Sequence, residues 1–88
     1  MKENGYNIAN KNIQDGISYI STAQGALDNI VTNINRMRDL ALTASDGSYS
    51  TTERLALQKE ADELANENLR IKTSTKFSDK RIFVDSPF

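Results

Sequence analysis

The sequence contains no cysteine and no histidine. Without cysteine the chain can form neither a disulfide nor a thiolate metal site. Without histidine it lacks the commonest general base and metal ligand. Catalysis by carboxylates alone stays formally open, but the acidic residues of the second half are typical of a solvated helix face. We therefore predict that the chain is not an enzyme and needs no cofactor.

Strong charge of one sign, long apolar runs and turn-forming residues are also scarce. Eleven basic and twelve acidic residues give a net charge of −1, which leaves no electrostatic footprint for nucleic acid or an anionic membrane. The longest apolar run is far shorter than the roughly 20 residues of a membrane span. The chain does not open on a charged and then an apolar segment, so we predict no secretory signal of that type. Four glycines and one proline in 88 residues are typical of long helices.

Apolar residues recur at helical spacing through the first half of the chain. Steps of four and three residues connect positions 13, 17, 20, 24, 27, 31, 34, 38 and 41, and all but Gln24 and Arg38 are apolar. This pattern predicts a heptad seam, which flanking residues widen enough to contact two helical neighbours. The residues of this helix predicted to pack are Ile13, Ile17, Ile20, Leu27, Ile30, Val31, Ile34, Met37 and Ala41.

A turn and a second helix follow. Asp46-Gly47 is typical of a chain reversal, and Ser50 followed three residues later by Glu53 predicts a capping box. We predict a long helix over 5–45, a loop over 46–50, a second helix over 51–73, and a turn with short strands over 74–88. In the second helix Leu57, Ala61 and Leu64 are predicted to pack. In the last segment residues 78–80 are expected to turn and 82–84 to form a strand.

The predicted fold is mainly α, with a long helix and a shorter antiparallel helix forming an αα-hairpin. A hairpin whose long arm carries such a stripe cannot cover it alone. At least one more helix must therefore pack there, from the same protein or from a partner.

Leu40 does not fit the seam. With about 100° per residue, it falls about 120° from Ile34, and Arg36 about 160° away on the same side. Both are therefore predicted to lie on the outer surface, which Asn29 and Thr32 complete. Two interpretations stay open. Leu40 is an ordinary exposed leucine and Arg36 pairs weakly with a nearby acid, or the two anchor an interface.

Five motifs follow one another along the chain: QDGIS at 14–18, TAQGAL at 22–27, NRMRDLAL at 35–42, QKE at 58–60 and STKFSDK at 74–80. Motifs in this order resemble those of bacterial flagellin. The first four are similar to the family's N-terminal helical region, and the last to its T-x-F-N-G-K turn. Ser78-Asp79 replaces the family's Asn-Gly, which predicts a less tight turn.

The resemblance implies a subunit of the flagellar filament that assembles with other flagellin subunits and is covered by a C-terminal flagellin helix. It implies an extracellular location, reached through the flagellum's own channel. It also implies that Arg36, Leu40 and Glu60, with Asn29 and Thr32, form a surface that contacts neighbouring subunits and is recognised by the vertebrate Toll-like flagellin receptor. The chain is then expected to be a part of a flagellin, with an atypical start at Met1-Lys2.

Two other functions stay open. A hook–filament junction protein shares a weaker form of the same pattern. A stand-alone coiled-coil adaptor could bind an unrelated helix through the same stripe.

Overall fold

The computed structural model describes the backbone of residues 2–84 and the side chains of residues 5–84. Helix α1 spans Lys2–Ala44 and helix α2 spans Thr51–Ser74; strands β1 and β2 span Lys76–Phe77 and Lys80–Arg81. The two helices pack against each other as an antiparallel pair, and the two strands form an antiparallel ladder. The predicted αα-hairpin followed by a short strand pair is confirmed. Residues 85–88, which the sequence assigned to the last segment, lie outside the described residues.

The molecule is a rod of 72 × 21 × 21 Å. At about 1.5 Å per residue, α1 is about 65 Å long and α2 about 36 Å. Since α2 turns back from the end of α1, it covers the second half of α1 and leaves most of the first half without a partner. Among the described residues, only Leu40 and Ile71 are buried apolar side chains, at 3% and 7% exposure. The hairpin therefore has a thin core.

The predicted capping box at the start of α2 is confirmed. The side chain of Ser50 accepts a hydrogen bond from the Glu53 amide at 3.1 Å, and the Glu53 carboxylate accepts one from the Ser50 amide at 3.0 Å. These hydrogen bonds from Ser50 hold the pKa of Glu53 below its ordinary value. The box is therefore present above the ordinary carboxylate pKa and is lost only as the pH falls through the lowered one. Arg54 closes the loop by donating to the carbonyl oxygen of Asp46 at 3.1 Å.

The strand pair after α2 is tighter than the sequence predicted. Its register pairs Lys76 with Arg81 and Phe77 with Lys80, so only two residues form the turn. Those residues, Ser78 and Asp79, have φ angles of 53° and 63°, as a type I′ turn requires. The prediction of a looser turn followed by a strand over 82–84 is therefore wrong, because the second strand begins at residue 80. A ring contact fixes the hairpin on α1, since Tyr19 and Phe77 meet edge-on with centroids 5.7 Å apart.

We predict that Asp79→Gly stabilises this turn, because glycine adopts a positive φ without the steric cost of a Cβ. The gain is up to about 1 kcal/mol, or about fivefold slower opening. Exchange of the Ile82 amide proton, which is donated to the Thr75 carbonyl at 3.1 Å, measures it by NMR. Asp79→Ala is the matched control and should open faster than the parent. Equal effects of the two variants would show that the left-handed turn does not limit opening.

Candidate interaction surfaces

Arg36 forms an ion pair that crosses from α1 to α2. Its Nε donates to Glu60 Oε1 at 2.9 Å and its Nη2 donates to Oε2 at 3.2 Å, a two-pronged geometry that fits a carboxylate. The side chains are 53% and 41% exposed. The Glu60 hydrogen bond, and then its charge, raise the pKa of Arg36 above its ordinary value. Because solvent screens such a pair, it contributes little to stability, but it displays a fixed guanidinium and carboxylate to any partner.

Leu40 lies one helical turn after Arg36 and, at 3% exposure, is the more buried of the two buried apolar residues in the described part of the chain. It lines a small space of about 130 Å³ between the helices together with Met37, Ala44, Leu57 and Ala61. The prediction that Leu40 faces outward is wrong. Its cause is the position of α2, which packs on the side of α1 that Leu40 occupies. Arg36 pairs with an acid of the second helix, Glu60, as the first interpretation expected, and this pairing is compatible with an interface role as well.

Helix α1 carries two apolar seams rather than one. A second series of buried or half-buried residues alternates steps of four and three, with half-buried Thr43 beside it: Ala26, Ile30, Asn33, Met37, Leu40 and Ala44. This series faces α2. Asn33 is its polar member, and its side-chain amide donates a hydrogen bond to the side-chain oxygen of Asn68 at 2.9 Å. The series precedes the seam predicted from sequence by one residue, or about 100° around the helix. The seam predicted from sequence is therefore a separate surface from the one that faces α2.

The predicted seam itself is largely open. We call its six large members the open stripe: Ile13, Ile17, Ile20, Leu27, Val31 and Ile34, which are 45% to 61% exposed. Ala41 at its end is also exposed, whereas Ile30 and Met37 are half-buried because they border α2. Exposed apolar surfaces of this extent are typical of interaction sites.

A groove connects the open stripe to α2. It has a volume of about 520 Å³ and is lined by Ile30, Ile34, Asn68, Leu69, Lys72 and Phe83. Sequence reasoning missed Phe83 as part of this surface, although an apolar residue in the segment that follows the turn is a signal for packing back on the helices. It also missed the Asn33–Asn68 pair, for which the sequence gives no signal.

The remaining predicted residues fall into two groups. Leu57, Ala61 and Leu64 are half-buried, and the first two line the space around Leu40. Asn29 and Thr32 are exposed on α1, and the Thr32 hydroxyl donates to the carbonyl oxygen of Asp28 at 2.9 Å. The structure thus brings Arg36 and Glu60 together, while Leu40 lines the space between the two helices.

Among the described residues, no three acidic side chains gather into a group that could hold a metal ion. No helix in the described part of the chain has the length and apolar character to cross a membrane.

An antiparallel helix pair with a long exposed apolar stripe is the kind of unit from which helical bundles are built. The family model for the bacterial flagellin N-terminal helical region matches residues 2–87, and the chain belongs to this family. The resemblance seen in the sequence is confirmed.

Relatives in several bacteria share much of the sequence. Flagellin B of Vibrio cholerae serotype O1 is 44% identical over 78 residues, which cover 89% of this chain and 21% of that protein. A flagellin of Clostridium tyrobutyricum is 42% identical over 90% of this chain and 21% of its own length. B-type flagellin of Pseudomonas aeruginosa is 42% identical over 89% of this chain and 16% of its own length. The chain therefore spans about a fifth of the first of these relatives. No solved structure matches the chain.

Proposed function

We propose that this chain is the N-terminal helical part of a structural subunit of the bacterial flagellar filament. The observation that carries the proposal is the open stripe, which is 45% to 61% exposed along α1 in a chain that belongs to the flagellin N-terminal helical family. A subunit of this kind is non-enzymatic and works by helix packing. Its partners are other flagellin subunits, and its location is the extracellular filament, reached through the flagellum's own channel.

The C-terminal flagellin helix is the proposed cover of the open stripe within one subunit. The groove beside Ile34, Leu69 and Phe83 supports this, because it is apolar and open along α1. A helix laid there contacts both α1 and α2, which completes a three-helix bundle.

A second proposed role belongs to the rim formed by Arg36 and Glu60. The two charges are held together at 2.9 Å and remain about half exposed, so they can contact a neighbouring subunit or the Toll-like flagellin receptor of a host. Arginine is among the residues favoured as interface anchors. Leu40 then acts by supporting the rim from below, since it is only 3% exposed. Asn29 and Thr32 are proposed as the outer part of this surface.

A chimaera tests both roles. Residues 2–87 replace the matching segment of Vibrio cholerae flagellin B in cells that lack their own flagellins. We expect filaments and motility from the chimaera. Arg36→Glu and Glu60→Arg should each weaken assembly and receptor signalling about tenfold or more, as loss of an interface anchor does. Filament length and receptor reporter activity are the measurements.

The double variant with both Arg36→Glu and Glu60→Arg distinguishes two roles of this ion pair, which are to join α1 to α2 and to contact a partner. It restores an ion pair between α1 and α2 but presents reversed charges to any partner. We expect hairpin stability to return while assembly and signalling stay low. Full recovery of both would show that the pair serves only the hairpin, and a chimaera without filaments would contradict the filament role itself.

A further inference from the structure

The open stripe is complementary to a second copy of itself. Its six members and Gln24 alternate steps of four and three residues between Ile13 and Ile34, and such a series has the same spacing read in either direction. We infer that a second copy of this chain binds the open stripe, with the two α1 helices antiparallel around a two-fold axis between Gly25 and Ala26. The inference does not depend on the filament role, because it concerns this chain alone.

The core of this contact follows from the register. In an antiparallel heptad pair the two kinds of seam position face each other, and the two-fold axis repeats every contact. The facing pairs are Ile17 with Ile34, Ile20 with Val31, and Gln24 with Leu27. The Ile17–Ile34 and Ile20–Val31 pairs are entirely apolar. At the centre the amide of Gln24 lies near the solvent-exposed edge, because the contact is one layer of side chains deep.

The flanks of the contact are also compatible. On one flank Gln14 faces Asn35 and Ser21 faces Asp28, so no two like charges meet. On the other flank Ala23 faces Ile30, next to the groove beside α2. The second copy therefore covers the apolar surface of α1 next to the part that α2 covers. The polar flank of the contact faces solvent.

Arg38 decides the orientation. It occupies a seam position, so a parallel pair in register would bring two guanidinium groups together in the seam, where like charges repel. In the antiparallel register each Arg38 faces Ile13 at the end of the contact. There its methylenes pack while its charged end reaches water. The antiparallel arrangement is therefore the one that the sequence of α1 tolerates.

The size of the contact sets its strength. Six large side chains that are about half exposed provide about 600 Å² per copy, or about 1,200 Å² in total, at the lower bound of a specific interface. Interfaces at this lower bound are typical of weak or transient complexes, so we expect monomer and dimer to exchange with concentration.

Sedimentation equilibrium of the 88-residue chain tests the stoichiometry. We expect a monomer–dimer equilibrium that Ile20→Lys weakens by about a hundredfold or more, since a charge is then placed in the seam. Ser18→Lys, which lies exposed on α1 about 160° around the helix from Ile20, is the matched control and should dimerise like the parent. Circular dichroism checks that both variants keep the parent's helix content. A chain that stays monomeric at several hundred micromolar overturns the inference.

Disulfide formation tests the orientation, because the chain has no cysteine of its own. One chain carries Ile20→Cys and the other carries Val31→Cys with a mass tag. The antiparallel register brings these two positions together, whereas either cysteine lies about 16 Å along the helix from its own copy. We expect the mixed disulfide to dominate under mild oxidation. Predominance of the two homodisulfides would indicate a parallel pair and overturn the inference.

Discussion

Leu40→Ala is expected to open the hairpin rather than to leave its helices intact. Leu40 is 3% exposed and is one of two buried apolar side chains among the described residues. Removing a buried leucine side chain costs roughly 3 kcal/mol, which is a large part of the stability of an 88-residue domain. Chemical unfolding followed by the helical signal at 222 nm should show a lower midpoint, and partial loss of α2 helicity in the absence of denaturant.

The control for this experiment is Leu42→Ala, which removes the same atoms two residues away. Leu42 is 61% exposed, so its removal should change the unfolding free energy by less than about 0.5 kcal/mol. If the two variants unfold alike, Leu40 does not hold the helices together. If Leu40→Ala alone is destabilised, any loss of assembly in that variant is explained by the fold, because Arg36 and Glu60 are no longer held 2.9 Å apart.

The parts of the fold that sequence predicted are those with local causes. Steps of three and four apolar residues define a helix wherever they occur, and the Ser50–Glu53 box needs only its own four residues. The exposure of the apolar seam also followed from local counting, because one short returning helix cannot cover a seam that runs from Ile13 to Ala41.

The direction of Leu40 could not be predicted in the same way. Two seams one residue apart run along α1, one through Ile34 and one through Leu40, and the stronger apolar pattern belongs to the seam that this chain leaves open. Which seam α2 takes depends on contacts distant in sequence, such as Asn33 with Asn68. The tight turn at Ser78 and Asp79 was missed for a similar reason. A left-handed backbone is unfavourable for Ser78 and Asp79 by themselves. The ring contact of Phe77 with Tyr19 on α1, which is distant in sequence, favours the turn.

A C-terminal flagellin helix and a second copy would compete for the same open stripe. The two differ in how they are supplied. A helix within the same subunit acts at a millimolar effective concentration when its connection spans the distance, whereas a second copy depends on the amount of protein present. In a subunit that carries its own covering helix, the dimer should therefore give way to the bundle.

Adding the C-terminal helix of Vibrio cholerae flagellin B as a peptide is expected to raise the melting temperature of this chain by about 10 °C or more. A ligand at a hundred times its dissociation constant stabilises by about 2.7 kcal/mol, and each kcal/mol shifts the midpoint of a domain this small by about 4–8 °C. Helix content should also rise, because the peptide becomes helical on the open stripe. Thermal melts and titration calorimetry measure these effects, and burial of apolar surface should give a negative heat-capacity change.

The Ile20→Lys variant and its control from the dimer test identify where the peptide binds. Ile20→Lys should lose most of the thermal shift, since Ile20 is 56% exposed in the middle of the open stripe. Ser18→Lys should keep the shift, because Ser18 lies exposed on the opposite side of α1 from Ile20. A peptide that stabilises both variants equally binds elsewhere on the rod, and one that stabilises neither the parent nor the variants contradicts the role of the open stripe as the seat of the covering helix.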